Sequence, residues 1–209
     1  MALVVHGHPF SSYCQKVIVA FRETSTPFQL KRIEDAAGFE ELRRMWPIGL
    51  MPVVTDGALT LIESSIIIEH VAPELVPSLE VRFLDRFFDN YVMTPMQKIV
   101  GDFLRPETER DPRGVSEAKA RVDVSYGWLN ERLKGREWAA GGNFTMADCA
   151  AAPSLFYADW VQPIDDRFAE TKAYRARLLA RPSFARAVEE ARPFRKFFPP
   201  GAPDRKSVV

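Results

Sequence analysis

Ser11-Ser12-Tyr13-Cys14 sets hydroxyls, a phenol and a thiol side by side, between a short apolar run and an apolar helical pattern. Ala2 to Val5 reads as a buried strand and His6-Gly7-His8-Pro9-Phe10 as a loop. Cys14, Val17, Ile18 and Phe21 then recur at helical spacing. Ser11 or Ser12 therefore stands at a helix N-cap, where unpaired backbone N–H groups and the helix dipole favour an anion. A hydroxyl there can be a plain cap, or it can hold a bound thiolate or carboxylate. The segment alone fits the plain cap.

Glu63-Ser64 repeats the arrangement at the end of a strand and the start of another helix, with Ser64 as candidate cap. A helix start receives a carboxylate and an adjacent Glu can hold an ammonium, so the pair suits an amino-acid zwitterion; a simple cap is the plainer reading. Met51-Pro52 opens a strand-like run, a position where proline is compatible with a sheet. A cis bond there would expose the Met51 backbone to an extended ligand, but a trans proline at a loop end accounts for the local sequence equally simply. Asn143-Phe144-Thr145-Met146-Ala147-Asp148 reads as a capping box with Phe144 and Cys149 as its staple, which is a structural device. His6, His8 and His70 form no helical metal pair, and Cys14 and Cys149 no CxxC, so neither a metal site nor a disulfide framework is expected.

The elements that must position these residues change character along the chain. Phe28 to Ile33 reads as a half-buried strand, Gly38 to Met45 as a short charged helix, and Trp46 to Leu50 as a loop. Val53-Val54-Thr55 and Leu59 to Ile62 flank Asp56-Gly57, a strong hairpin signal, and Ser64 to Val71 reads as a helix. The order is βαβαββα over residues 1–75. Ala72 to Pro77 is a linker with a short extended piece between prolines, and from 79 to 209 strand signals nearly vanish. Glu80 to Phe103 reads as one long helix bent at Pro95. Val115, Ala118, Val122, Tyr126, Leu129 and Leu133 form the apolar face of another. Arg175, Arg177, Arg181, Arg186, Arg192 and Arg195 read as a solvated helix face.

With 209 residues, 28 basic and 28 acidic side chains, the chain is long enough for two small domains and carries no net charge pointing to nucleic acid or an anionic membrane. Neither a signal peptide nor an apolar run of membrane-spanning length is read, and the two separated cysteines suit a reducing cytoplasm.

In this order and spacing, the strand, the Ser at a helix start, the X-Pro before a hairpin, the Glu-Ser before a third helix and the later helix cap resemble the cytosolic glutathione transferases over nearly the whole chain. Ser-Ser-Tyr-Cys-Gln-Lys-Val looks most like the serine-type bacterial, theta and zeta members. The resemblance implies a thioredoxin-like α/β N-terminal domain, an all-α C-terminal domain carrying an electrophile site, and a homodimer. It also implies glutathione as co-substrate and no metal. By it, Ser11 activates the thiol, Met51 pairs with the cysteinyl part ahead of a cis Pro52, and Glu63 and Ser64 hold the γ-glutamyl end. Phe103, Tyr157 and Trp160 are candidates for an apolar electrophile pocket. Many members carry Asn-Pro-x-Gly-Lys where this chain has Trp46-Pro47-Ile48-Gly49-Leu50, so Arg43, Arg44 or Lys31 would have to replace a basic contact at Leu50. Besides a transferase, a glutathione-dependent isomerase, a non-catalytic interaction module and a monothiol reductase using Cys14 are compatible with the pattern.

Overall fold

The computed structural model describes residues 3–203, so Met1, Ala2 and the last six residues lie outside the described region. The N-terminal part runs β1 (Leu3–Gly7), α1 (Ser12–Glu23), β2 (Phe28–Arg32), α2 (Ala36–Met45), β3 (Val53–Asp56), β4 (Leu59–Ile62) and α3 (Ser64–Val71). The sheet order is β2-β1-β3-β4, with β1 parallel to β2 and the other neighbours antiparallel. In register, Leu30, Val5, Val54 and Leu61 form one row across the sheet. Val5, Val54 and Leu61 are buried in one core with Val17 and Phe21 of α1 and Ile67 of α3. This is a thioredoxin-like α/β layer.

Local boundaries follow local chemistry. Helix α2 starts two residues earlier than its charged pattern indicates, because Asp35 Oδ1 caps the Gly38 N–H at 2.8 Å. In the hairpin, Asp56 is still paired with Leu59, so the turn residues are Gly57 and Ala58, with Gly57 at φ 58°. The linker is not extended: Pro73–Leu75 forms a 3₁₀ turn in which Leu75 is buried and its N–H reaches the Ala72 carbonyl at 3.0 Å.

The C-terminal part is all helical: α4 (Leu79–Phe87), α5 (Thr94–Phe103), α6 (Pro112–Arg132), α7 (Met146–Val161), α8 (Ala169–Ala180) and α9 (Pro182–Ala191). The single long helix expected over Glu80 to Phe103 is divided by a wide π-type turn at Phe88–Met93. There the Thr94 N–H reaches back five residues to the Asp89 carbonyl. Pro95 offers no N–H to Tyr91, and Ser125 Oγ of α6 donates to the Tyr91 carbonyl instead, at 2.8 Å. The arginine series is not one solvated face. Arg175 lies tucked against Asp159 at 2.9 Å, and Arg181 crosses to α1 and grips Glu23 through two bonds of 3.0 and 2.6 Å.

Helix α7 is the axis of this half. From Met146 to Ala158 every residue is buried, as expected of a helix apolar all round, and it packs on α1, α4 and the wide turn. Its start is fixed by Asp148, which does more than close a capping box. One carboxylate oxygen accepts from the Thr145 N–H (2.9 Å) and hydroxyl (3.2 Å); the other accepts from the Ala139 N–H (2.9 Å) and the Tyr174 hydroxyl (2.5 Å). Burial pushes this carboxyl up, against the pull of those donors. Phe144 meets the Trp138 ring edge to face at 5.2 Å, beneath the Arg181 guanidinium.

Asp148→Ala leaves several buried donors without an acceptor. It should lower the stability of the fold by about 3 kcal/mol or more, read as the shift of the urea midpoint at unchanged m-value.

Candidate active site

Between the two halves lies a cavity of about 780 Å³, within the range of small-molecule sites. Its N-terminal wall is built from two helix starts. Ser11 is the N-cap of α1, with φ −79° and ψ 123°, and its Oγ accepts from the Cys14 N–H at 3.4 Å. The hydroxyl thus uses a lone pair within the helix; its proton lies within reach of the Cys14 sulfur as well as of the cavity. At the second start Glu63, not Ser64, is the N-cap; Ser64 is the first helical residue. Glu63 has φ 67° and ψ 118°, a conformation costly for a residue with a Cβ, of the kind that persists at ligand clamps. Met51 and Pro52 close this wall, joined by a cis peptide bond, and the β3 ladder begins one residue later at Val53.

The opposite wall is largely apolar, with Gln97 of α5 its polar member. Met96, Val100 and Leu104 line it at intervals of four along α5, with Tyr157 of α7 and the Phe197-Phe198-Pro199 strap. Of the three expected pocket residues only Tyr157 reaches the cavity. Phe103 lies off the cavity, half-exposed beneath the Arg110 guanidinium, while Met96 and Val100 line it and Leu104, itself largely exposed, stands at its mouth. Trp160 stands behind the wall, its ring 4.9 Å from Phe198 and 5.3 Å from Tyr157. The four-residue spacing of Met96, Val100 and Leu104 was present in the sequence and is the signal that marks this face.

Beneath the cavity runs a buried ionic cluster that the sequence reading passed over. Lys16 of α1, with its side chain 1% exposed, extends its ammonium to Asp85 (2.6 Å), Asp89 (2.8 Å) and Ser65 (2.9 Å). Arg86 closes the cluster on both carboxylates and on Ser65. Two cations face two carboxylates, so the cluster adds no net charge to the cavity floor. Burial raises the Asp89 carboxyl even beside Lys16. Burial, and after it Asp89, also raises the Tyr13 phenol, so this cavity-lining side chain keeps its proton.

The remaining candidates separate cleanly. Lys31 is paired with Glu41 at 2.5 Å and Arg44 with Glu40 at 3.1 Å, whereas the Arg43 side chain runs against Gly49, which lines the cavity, without lining it itself. His6 turns to Thr55 within the sheet and His8 accepts from the Phe10 N–H, so the two do not converge. Cys14 is fully buried against Gly7, where any Cβ would run into its sulfur, and burial pushes its thiol up to about 11. Cys149 is likewise buried and raised by burial.

Two family models match this chain: "Glutathione S-transferase, N-terminal domain" over residues 5–74 and "Glutathione S-transferase, C-terminal domain" over residues 87–182. The chain is 22% identical to glutathione S-transferase APIC of Nicotiana tabacum, covering 91% of this chain and 99% of that protein. It is 25% identical to a probable maleylacetoacetate isomerase of Vibrio cholerae, covering 92% and 98%. A glutathione S-transferase of Methylobacterium radiotolerans, solved in complex with glutathione sulfonate, superposes with a TM-score of 0.77 at 26% identity, over 90% of this chain and 95% of that one.

A buried thiol with a raised pKa is a poor nucleophile. Neither Cys14 nor Cys149 should react with a maleimide at neutral pH in the folded protein, and both should react once it is unfolded. Mass spectrometry of the labelled protein counts the additions; labelling of folded Cys14 would restore the monothiol reading.

Proposed function

Since the chain belongs to the glutathione S-transferase family, we propose that it binds glutathione along the N-terminal wall and joins its thiolate to small apolar electrophiles held against α5, Tyr157 and the C-terminal strap. The observation that carries this reading is the meeting of two helix starts and one apolar wall in a single cavity. In this reading the γ-glutamyl carboxylate lies at Ser64, in the positive field of α3, and Glu63 receives the ammonium. Met51, outside the sheet ladder, offers its backbone to the cysteinyl unit, and Pro52 shapes the wall beside it. Arg43 is the cation beside Leu50 that can take the glycyl carboxylate.

The thiol gives its proton to solvent, and the thiolate is held by the Ser11 hydroxyl and the first turn of α1. Its electron pair forms the new S–C bond, while the leaving group departs with the electrons of the bond it breaks. Lowering a thiol pKa by about two units takes roughly 2.7 kcal/mol. A charge-assisted hydrogen bond supplies roughly 1.5–3 kcal/mol and a helix start about 0.3–1 more. No general base is required. The serine-type assignment rests on Ser11 being the N-cap of α1 at the cavity wall, which Ser12 and Tyr13 also line.

A second reading, isomerisation, is supported by the Vibrio cholerae relative and uses the same thiolate. An isomerase returns glutathione after each turnover, whereas conjugation consumes it. Loss of free thiol during reaction with chlorodinitrobenzene therefore separates the two.

An exposed aromatic face on α4 and α6 supports a homodimer. Exposed Phe83 and Trp128 meet at 5.9 Å over the buried Phe87, which packs on Trp128 at 4.5 Å, and Leu79 and Val124 of the same helices are also exposed. No described helix is long and apolar enough to cross a membrane. We place the protein in the cytoplasm, where its two free thiols would stay reduced.

Ser11→Ala should lower conjugation by about one to three orders of magnitude and raise the apparent pKa of the pH–rate profile, with the fold intact. Ser12→Ala as the damaging change instead would overturn the assignment. Light scattering at micromolar concentration should give twice the chain mass of 23.7 kDa.

A further inference from the structure

The turn that presents Ser11 has no slack in its backbone. The Ser11 N–H donates to the His8 carbonyl at 2.9 Å, the Phe10 N–H to His8 Nδ1 at 3.1 Å, and the Ser11 carbonyl accepts the first helical bond from Gln15 at 2.9 Å. Two carbonyls are left, those of Pro9 and Phe10, and both point into the seam between the domains. Gln15 Nε2 donates to the Pro9 carbonyl at 2.9 Å and to the Tyr157 hydroxyl at 3.1 Å; that hydroxyl reaches the Phe10 carbonyl at 3.2 Å.

The direction of this relay is fixed by its acceptors. A carbonyl can only accept, so the Gln15 amide must turn its NH₂ toward Pro9. That NH₂ also faces Tyr157, so the phenol accepts from Gln15 and spends its one proton on Phe10. Both side chains are buried, and burial raises the Tyr157 phenol, which keeps that proton.

We propose that Tyr157 and Gln15 are positioning residues for the thiol-activating hydroxyl: by holding the carbonyls of Pro9 and Phe10 they set where Ser11 Oγ points. The inference rests on the assignment of Ser11 given above. It also gives Tyr157 two faces, its ring in the wall of the electrophile cavity and its hydroxyl on the loop that prepares the thiolate. Residues 142 positions apart in the chain thereby act on one proton.

Tyr157→Phe removes the hydroxyl and leaves the ring. The probes are glutathione itself, whose bound thiolate is titrated by its ultraviolet absorbance, and chlorodinitrobenzene turnover across pH. Expected are a raised pKa of the bound thiol, a kcat about tenfold lower at neutral pH, and recovery of kcat at high pH, where the thiolate forms unaided. The KM for glutathione should stay within about twofold, because its remote end is held elsewhere. Gln15→Met should do the same and carries the test if Tyr157→Phe folds poorly. Ser11→Ala/Tyr157→Phe should have the same thiol pKa as Ser11→Ala alone, since both act at one hydroxyl.

An unmoved thiol pKa in Tyr157→Phe, while Ser11→Ala raises it, overturns the positioning role and leaves Ser11 in place. A lowered kcat that does not recover at high pH shows a packing effect and overturns it as well. If Ser11→Ala itself leaves the pKa unchanged, the assignment of Ser11 falls and this inference falls with it.

Discussion

The Lys16 ammonium is the interaction on which the cavity depends. It belongs to α1 in the sheet-bearing half, while its carboxylate partners, Asp85 and Asp89, belong to the helical half. All three are nearly out of contact with water, and a buried ion left without its partner costs several kcal/mol. The two halves therefore cannot slide or part at this point without exposing or orphaning a charge. Hydrophobic contact between α1 and α7 supplies area but little direction; the ionic cluster supplies direction. On the far side of α1, Arg22 grips Glu190 and Arg181 grips Glu23, so the helix is clamped to the C-terminal half at both ends.

With α1 held this way, the free end of its dipole opens into the space between the domains. Helix α3 brings a second free end to the same space, and the positive field of the two together is stronger than either cap alone. The floor contributes no opposing net charge, because Lys16, Arg86, Asp85 and Asp89 balance. The potential of this wall is therefore set by backbone amides together with the Glu63 carboxylate at the start of α3. Backbone dipoles do not titrate, so their part of this field is constant across pH.

The apolar wall follows a different logic. It is assembled from α5, α7 and the strap after α9, none of which contributes a charged side chain to it. Phe198 packs between Tyr157 and Trp160, with the Phe10 ring 6.4 Å away, so the strap is joined to the loop that carries Ser11. The aromatic rings give this wall area and stiffness, while the Tyr157 hydroxyl and the Gln15 amide tie it to the polar wall. The cavity is a boundary between two packing systems that share a few hydrogen bonds.

The sequence determined much of what operates within a turn or two, though not the wide turn at Phe88–Met93 or the 3₁₀ turn at Pro73–Leu75. In the sheet-bearing half the order of strands and helices follows from periodicity and breakers, a cap at Ser11 or Ser12 is announced by its neighbours, and Thr145 to Asp148 spell a helix start. Met51-Pro52 and Glu63-Ser64 were legible as positions of interest because breakers and caps are local. Tertiary structure alone decided which face of each helix meets which. Phe103 was a reasonable pocket residue until α5 set Met96 and Val100 against the cavity, and Trp160 until Tyr157 stood in front of it. Lys16 and Arg175 look like surface charges in sequence, since the carboxylates that allow their burial lie on other elements. That Glu63 rather than Ser64 takes the cap depends on a φ of 67° enforced by the strand–helix junction. The Gln15–Tyr157 contact spans most of the chain, and no local pattern encodes a hydrogen bond whose donor and acceptor are brought together only when two domains dock.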